Sequence, residues 1–141
     1  MERLHVSLHH LGDFKHLPSG ILHAARRAGE AVSAGPFEIV LHAMGTLGDA
    51  RSRRRPLVLL AESEPLRLLH RHLAAAVRRN GLKAAERFTP HMTLSYGRQA
   101  FTARPIVPIR FVAEAFCLVH SELGLGRYRV LERWPLDASS R

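Results

Sequence analysis

Leu4-His5-Val6-Ser7-Leu8 opens this chain, and Pro90-His91-Met92-Thr93-Leu94 repeats its pattern in the second half. Each copy sets a histidine, an apolar residue, a hydroxyl residue and a leucine in a row, and a glycine follows soon after (Gly12 and Gly97). An extended strand sends successive side chains to opposite faces. His5, Ser7 and His9 are therefore expected on one face of a strand from Leu4 to Leu11, with Leu4, Val6 and Leu8 on the other. In the second copy His91, Thr93 and Ser95 share a face, and Met92, Leu94 and Tyr96 lie opposite, which assigns Tyr96 to the core. Each strand has a packing side and a chemically equipped side. One copy in each half predicts two similar lobes, with both histidine strands beside a shared cleft.

The chain has 141 residues, enough for one domain spanning 1–141 with a real core. Hydrophobic residues make up 46%, which together with the lack of a polar low-complexity tract excludes a disordered protein. A formal charge of +9 favours polyanions, nucleic acid foremost, although solubility alone also accounts for such a balance. Cys117 is the single cysteine, so no internal disulfide forms; within Ala115-Phe116-Cys117-Leu118-Val119 it reads as a small core residue. The first residues lack an apolar signal core and no apolar run is long enough to span a bilayer, so a cytoplasmic protein with no membrane partner is expected.

Periodicity supplies the remaining elements. A helix is expected from Ser19, as cap, to about Ser33, with Ile21, Leu22, Ala25, Ala28 and Val32 at helical spacing; Gly29 is out of place inside it. Phe37 to His42 alternates as a strand, and Leu57 to Ala61, introduced by Pro56, reads as a buried one. The clearest helix has Ser63 as cap, Pro65 in the first turn and Gly81 just past the end. Leu66, Leu69, Leu73, Ala76 and Val77 form its apolar stripe, while His70, Arg71, Arg78 and Arg79 are expected to face water. A loop from Gly97 to about Pro108 precedes one long strand, Ile109 to His120. Gly124 and Gly126 mark a turn, Tyr128 to Trp134 returns as a hairpin, and Asp137 to Arg141 is a tail. The sum is an α+β protein with helices packed outside largely antiparallel sheets.

The repeated motif suits acid/base chemistry on a phosphate. Opening a cyclic phosphodiester needs a base to take a proton from water and an acid to protonate the departing sugar oxygen. Imidazole serves either role because its ordinary pKa lies near 6.5. Ser7 and Thr93 would hydrogen-bond the non-bridging oxygens and hold the phosphorus between His5 and His91. The scheme requires no metal or other cofactor.

These two segments resemble the paired His-x-Thr/Ser signatures of the two-histidine phosphoesterase superfamily. The context Leu4-His5-Val6-Ser7-Leu8-His9-His10-Leu11-Gly12, with Pro90-His91-Met92-Thr93-Leu94, is most similar to the bacterial LigT-like branch, named 2′-5′ RNA ligase or RNA 2′,3′-cyclic phosphodiesterase. The resemblance extends to the closing segment Tyr128 to Leu136. It implies a bilobal α+β fold, metal-independent hydrolysis of 2′,3′-cyclic phosphates to 2′-phosphates, and a reversible 2′-5′ ligation. It carries His5, Ser7, His91 and Thr93 over as catalytic positions. Members of the family usually place a strand and a helix before the first motif. Here the motif starts at residue 5, so that unit is expected to be missing. The first lobe would then keep an unpaired strand edge, which a homodimer partner could complete.

Other readings of the same residues compete. His5 and His91 could be structural strand histidines, though both copies keep the same polar face. His9 shares the His5 face, as a substrate contact or a solvated residue. A zinc site is the main rival for ten histidines, but neither His5/His9 nor His70/His72 has a convincing third ligand. Arg51-Ser52-Arg53-Arg54-Arg55 is a solvated basic loop or a phosphate contact. Tyr96, Arg98, Arg127 and Tyr128 are candidate substrate contacts beside the cleft, by phosphate binding and base stacking, with the core reading preferred for Tyr96. The expected substrate is RNA with a 2′,3′-cyclic phosphate end or a small cyclic nucleotide; the alternative is a non-catalytic RNA-binding module that retains the cleft.

Overall fold

The second helix is built as its sequence dictates. In the computed structural model, which describes residues 4–48, 51, 53–122 and 127–137 (backbone alone at 122 and 127), α2 spans Glu64–Arg79. Ser63 caps it by accepting from the Leu66 N–H at 3.2 Å, and Pro65 occupies the first turn, where its missing N–H costs nothing. Gly81 follows the end at φ +84°, a backbone conformation that a side chain would strain. The stripe Leu66, Leu69, Leu73, Ala76 and Val77 is buried as expected. His70 is buried with it, contrary to the water-facing assignment. Its position explains the burial: it stands four residues after Leu66 and three before Leu73, inside the stripe.

The first helix, α1, spans Ser19–Glu30. Ser19 is its first residue and not its cap; Pro18 occupies the cap position, without a side-chain cap bond. Gly29 has a packing reason. A Cβ there would meet the Trp134 indole at 2.3 Å, so the missing side chain lets the indole lie against the helix.

Among the described residues six strands follow: β1 Phe37–Thr46, β2 Arg55–Glu62, β3 His91–Gly97, β4 Arg104–Ala113, β5 Ala115–Glu122 and β6 Arg127–Pro135. A four-stranded sheet runs β3-β2-β1-β4, every pair antiparallel. β5 and β6 form a second, two-stranded antiparallel sheet. The expected long strand from Ile109 to His120 is two strands in different sheets. Pairing with β1 stops at Ala113 opposite Phe37, and the carbonyl of Glu114, between the strands, accepts from the Leu136 N–H at 2.8 Å. β4 also starts earlier than expected, taking in Pro105 and Pro108. It pairs only with β1, and such an edge strand tolerates residues without an N–H. The turn assigned to Gly124 and Gly126 and the tail beyond position 137 lie outside the described residues.

Both helices lie on one side and join the two sheets. One buried cluster runs through Ala28 and Val32, through Phe37, Ile39 and Leu41 of β1, through the α2 stripe, and on to Phe116, Trp134 and Leu136. Cys117, expected in this core, is exposed: strand alternation turns its neighbour Phe116 inward and the thiol out. No helix among the described residues is long and apolar enough to cross a membrane.

Candidate active site

The first motif does not form the full strand expected over Leu4 to Leu11. It makes a single antiparallel bridge, Val6 to Met92. Side chains hold the segment instead. Val6, Leu8 and Leu11 pack against the core on one side, as Met92 does from β3. Among the described residues the first motif is paired at that one position, which brings the two motifs side by side.

His5 and Ser7 are exposed, and His91 and Thr93 are half-buried. β3 is held at its start by the Ala61 N–H, which donates to the Pro90 carbonyl at 2.9 Å. The His91 Nδ1–H donates to the Thr89 carbonyl at 2.6 Å. A carbonyl only accepts, so Nδ1 carries a proton and Nε2 is the nitrogen left to act on a substrate. His5 lies beside Tyr128 of β6, ring centroids 5.8 Å apart and tilted by 46°. The second sheet thereby reaches the first motif.

Other candidate contacts fall differently. His9 is turned to α2. Its Nε2–H donates to the His70 carbonyl at 2.9 Å, and its ring stacks on the His70 ring at 4.0 Å. His70 in turn stacks on Phe88 at 4.1 Å and 4°. A three-ring column therefore ties the segment after His5 and the segment before His91 to the same helix. Burial pushes His70 down to about 4, with His9, Arg78, Arg67 and Arg71 adding to the shift. Burial also lowers His9; its bond to the His70 carbonyl opposes this and Arg78 reinforces it. The column is thus neutral near pH 7, which suits packing better than substrate contact. Arg98 is exposed just past β3, and its carbonyl accepts from Arg55. Arg127 opens β6, and its side chain lies outside the described residues.

Tyr96 corrects the sequence reading most directly. It is 56% exposed, with the Arg54 guanidinium 4.7 Å above its ring centroid. The cause is a bulge. β3 pairs Thr93 with Val58 but Ser95 with Leu57, leaving Leu94 as the extra residue. Beyond it Tyr96 pairs with Pro56. On β2, Leu60, Val58 and Pro56 share a face, so their partners His91, Thr93 and Tyr96 share one too. Among the described residues, no three His, Cys, Asp or Glu side chains gather as a metal-ligating group.

The family model described as the 2′-5′ RNA ligase superfamily matches residues 2–125. The chain belongs to that superfamily. Solved structures agree. A Thermus thermophilus protein, TT0787, is 28% identical with a TM-score of 0.73, over 96% of this chain and 79% of that one. Escherichia coli LigT complexed with 3′-AMP is 27% identical with a TM-score of 0.64, over 96% and 78%. The same enzyme complexed with NADP+ gives 27% identity and a TM-score of 0.69, over 96% and 77%. No curated protein matches significantly. The α+β fold with open antiparallel sheets is that of the LigT-like two-histidine phosphoesterases, and a 2′-5′ RNA ligase-like phosphoesterase that works on RNA or nucleotides follows at that level.

Proposed function

We propose that residues 1–141 act as one bilobal domain that opens 2′,3′-cyclic phosphates, at RNA ends or on small nucleotides, to 2′-phosphates. The observation that carries this reading is the Val6–Met92 bridge, which brings the two histidine motifs side by side. In the proposed step one neutral imidazole takes a proton from water. The oxygen attacks phosphorus in line with the P–O3′ bond, that bond breaks, and the other imidazole, protonated, delivers its proton to O3′. For His91 the nitrogen in either role is Nε2, because Nδ1 is committed to Thr89. Ser7 and Thr93 donate hydrogen bonds to the non-bridging oxygens as charge builds on them. No metal enters the scheme. With a ribose 5′-hydroxyl in place of water as the attacking group, the same proton transfers join a 2′-5′ linkage, and the reverse of that step cleaves it back to the cyclic phosphate. The nucleotide named with LigT, 3′-AMP, is consistent with a substrate of this class.

The test is turnover of 2′,3′-cyclic nucleotides and cyclic-ended oligonucleotides with a chelator present, with 2′- and 3′-phosphate products resolved. His5→Ala and His91→Ala are each expected to lower kcat by roughly 10²–10⁴-fold while leaving the unfolding transition in place. Full turnover in either variant overturns the assignment. Salt-sensitive oligonucleotide binding by the unmodified chain, with no product, would make it a binding module instead.

A further inference from the structure

The bulge at Leu94 gives the His91 strand a third side chain on its working face, and that side chain is an aromatic ring. We propose that Tyr96, with Arg54 over its ring, is a stacking subsite for a nucleobase of the substrate, a role that rests on the phosphoesterase reading of the same face. Three observations carry it. The first is register: His91, Thr93 and Tyr96 pair with Leu60, Val58 and Pro56, alternate residues of one regular strand. The ring thus projects to the side where the phosphate would sit, about 7 Å along the strand from Thr93, the two-residue spacing of their partners Val58 and Pro56. A nucleoside attached to that phosphate, or the next one along, covers such a reach.

The second observation is exposure. Tyr96 keeps 56% of its surface open, so its ring is accessible to a ligand. Leaving so much aromatic surface in water forgoes burial worth about 1 kcal/mol or more, which a ligand's base recovers. The third is charge. The Arg54 guanidinium stands 4.7 Å from the ring centroid, and Arg53 and Arg98 are exposed nearby in sequence. An aromatic face flanked by guanidinium groups suits a base attached to a phosphate, since stacking holds the base and the cations attract the backbone. Base stacking discriminates little between bases, so this subsite favours nucleotides over other cyclic phosphates without choosing a sequence.

The test compares substrates with and without a base. Unmodified chain, Tyr96→Ala, Tyr96→Phe and Arg54→Ala are assayed on adenosine 2′,3′-cyclic phosphate, on a cyclic-ended dinucleotide and on base-free ribose 2′,3′-cyclic phosphate. Tyr96→Ala is expected to raise KM for the base-bearing substrates by roughly tenfold more than for the base-free one, with kcat little affected. Tyr96→Phe keeps the ring and restores KM; Arg54→Ala gives a smaller change in the same direction. Equal losses on all three substrates mark a structural role and overturn the proposal, as does no loss on any. Calorimetric binding of adenosine 2′-phosphate separates this idea from the catalytic one. Binding weakened by Tyr96→Ala in a chain that turns nothing over leaves the subsite standing and removes the reaction; no binding by the unmodified chain removes the subsite.

Discussion

At the scale of single residues, the two hydroxyl residues make the sharpest demand on the site. If Ser7 and Thr93 hold the phosphoryl oxygens, the hydroxyl matters and the methyl group does not. Thr93→Ser should keep most of the activity, and Thr93→Val, equal in shape, should lose roughly 10²-fold in kcat. Ser7→Thr and Ser7→Ala should reproduce the same contrast, because the proposed step asks the same hydrogen bond of the Ser7 hydroxyl. Steady-state kinetics on one cyclic nucleotide settles it; a Thr93→Val enzyme as active as the unmodified one would remove Thr93 from the chemistry. Both motif positions are visible in the sequence, because alternation carries His5 with Ser7 and His91 with Thr93. Tyr96 is not, since period-two counting has no mark for the extra residue at Leu94. Cys117 misleads for a related reason: an apolar run shows that a strand is buried somewhere, not which of its two faces is.

At the scale of elements, the question left by the sequence is what holds His5 so near the start of the described chain. The His9–His70–Phe88 column supplies the answer, since it pins to α2 the segments next to both motifs. This anchor is sensitive to acid. His70 titrates near 4 in the folded chain against about 6.5 unfolded, so its neutral form contributes stability in full above about pH 6.5. That contribution is lost as pH falls from there toward 4, where the unfolded chain takes up a proton that the folded chain resists. The unmodified chain should lose about 2 kcal/mol from this source between neutral pH and about pH 4.5. His70→Phe keeps a stacked ring and removes the titration, so its acid loss should be smaller by about that amount. Denaturant unfolding at the two pH values measures it, and identical losses in both chains would show that His70 does not govern the acid limb. The sequence does contain the signal: His70 stands in the stripe by spacing, and only its polarity argues for water.

Gly29 sets two element-level effects against each other. Helix propensity alone favours Gly→Ala by about 1 kcal/mol. The Trp134 indole, 2.3 Å from where the new methyl would stand, is buried and stacked on Phe116, so it has little freedom to retreat. Overpacking of this kind costs about 1–3 kcal/mol, so Gly29→Ala should lower the unfolding midpoint, where propensity alone predicts a rise. A more stable variant would mean that the contact between α1 and the second sheet is looser than its geometry indicates.

At the scale of the whole molecule, the division into two sheets follows from one residue that no periodicity marks. Ile109 to His120 is largely continuous in apolar character, yet Glu114 passes the chain from the first sheet to the second. That passage puts β6 where Tyr128 can stand beside His5, so the second sheet borders the first motif. The surplus of positive charge acts at the same scale. With a formal charge of +9, the chain attracts any RNA before contact, and the Arg53–Arg55 stretch leads directly into β2, beside the His91 strand. If those side chains meet phosphates, the logarithm of oligonucleotide affinity should fall linearly with the logarithm of salt concentration, and Arg53→Ala should reduce the slope by about one. A mononucleotide reaches few of these charges, so its KM should respond far less to salt. Titrations of an oligonucleotide and a mononucleotide across the same salt range make the comparison. Equal slopes for the two ligands would place the basic stretch outside the substrate path and leave the charge to solubility alone.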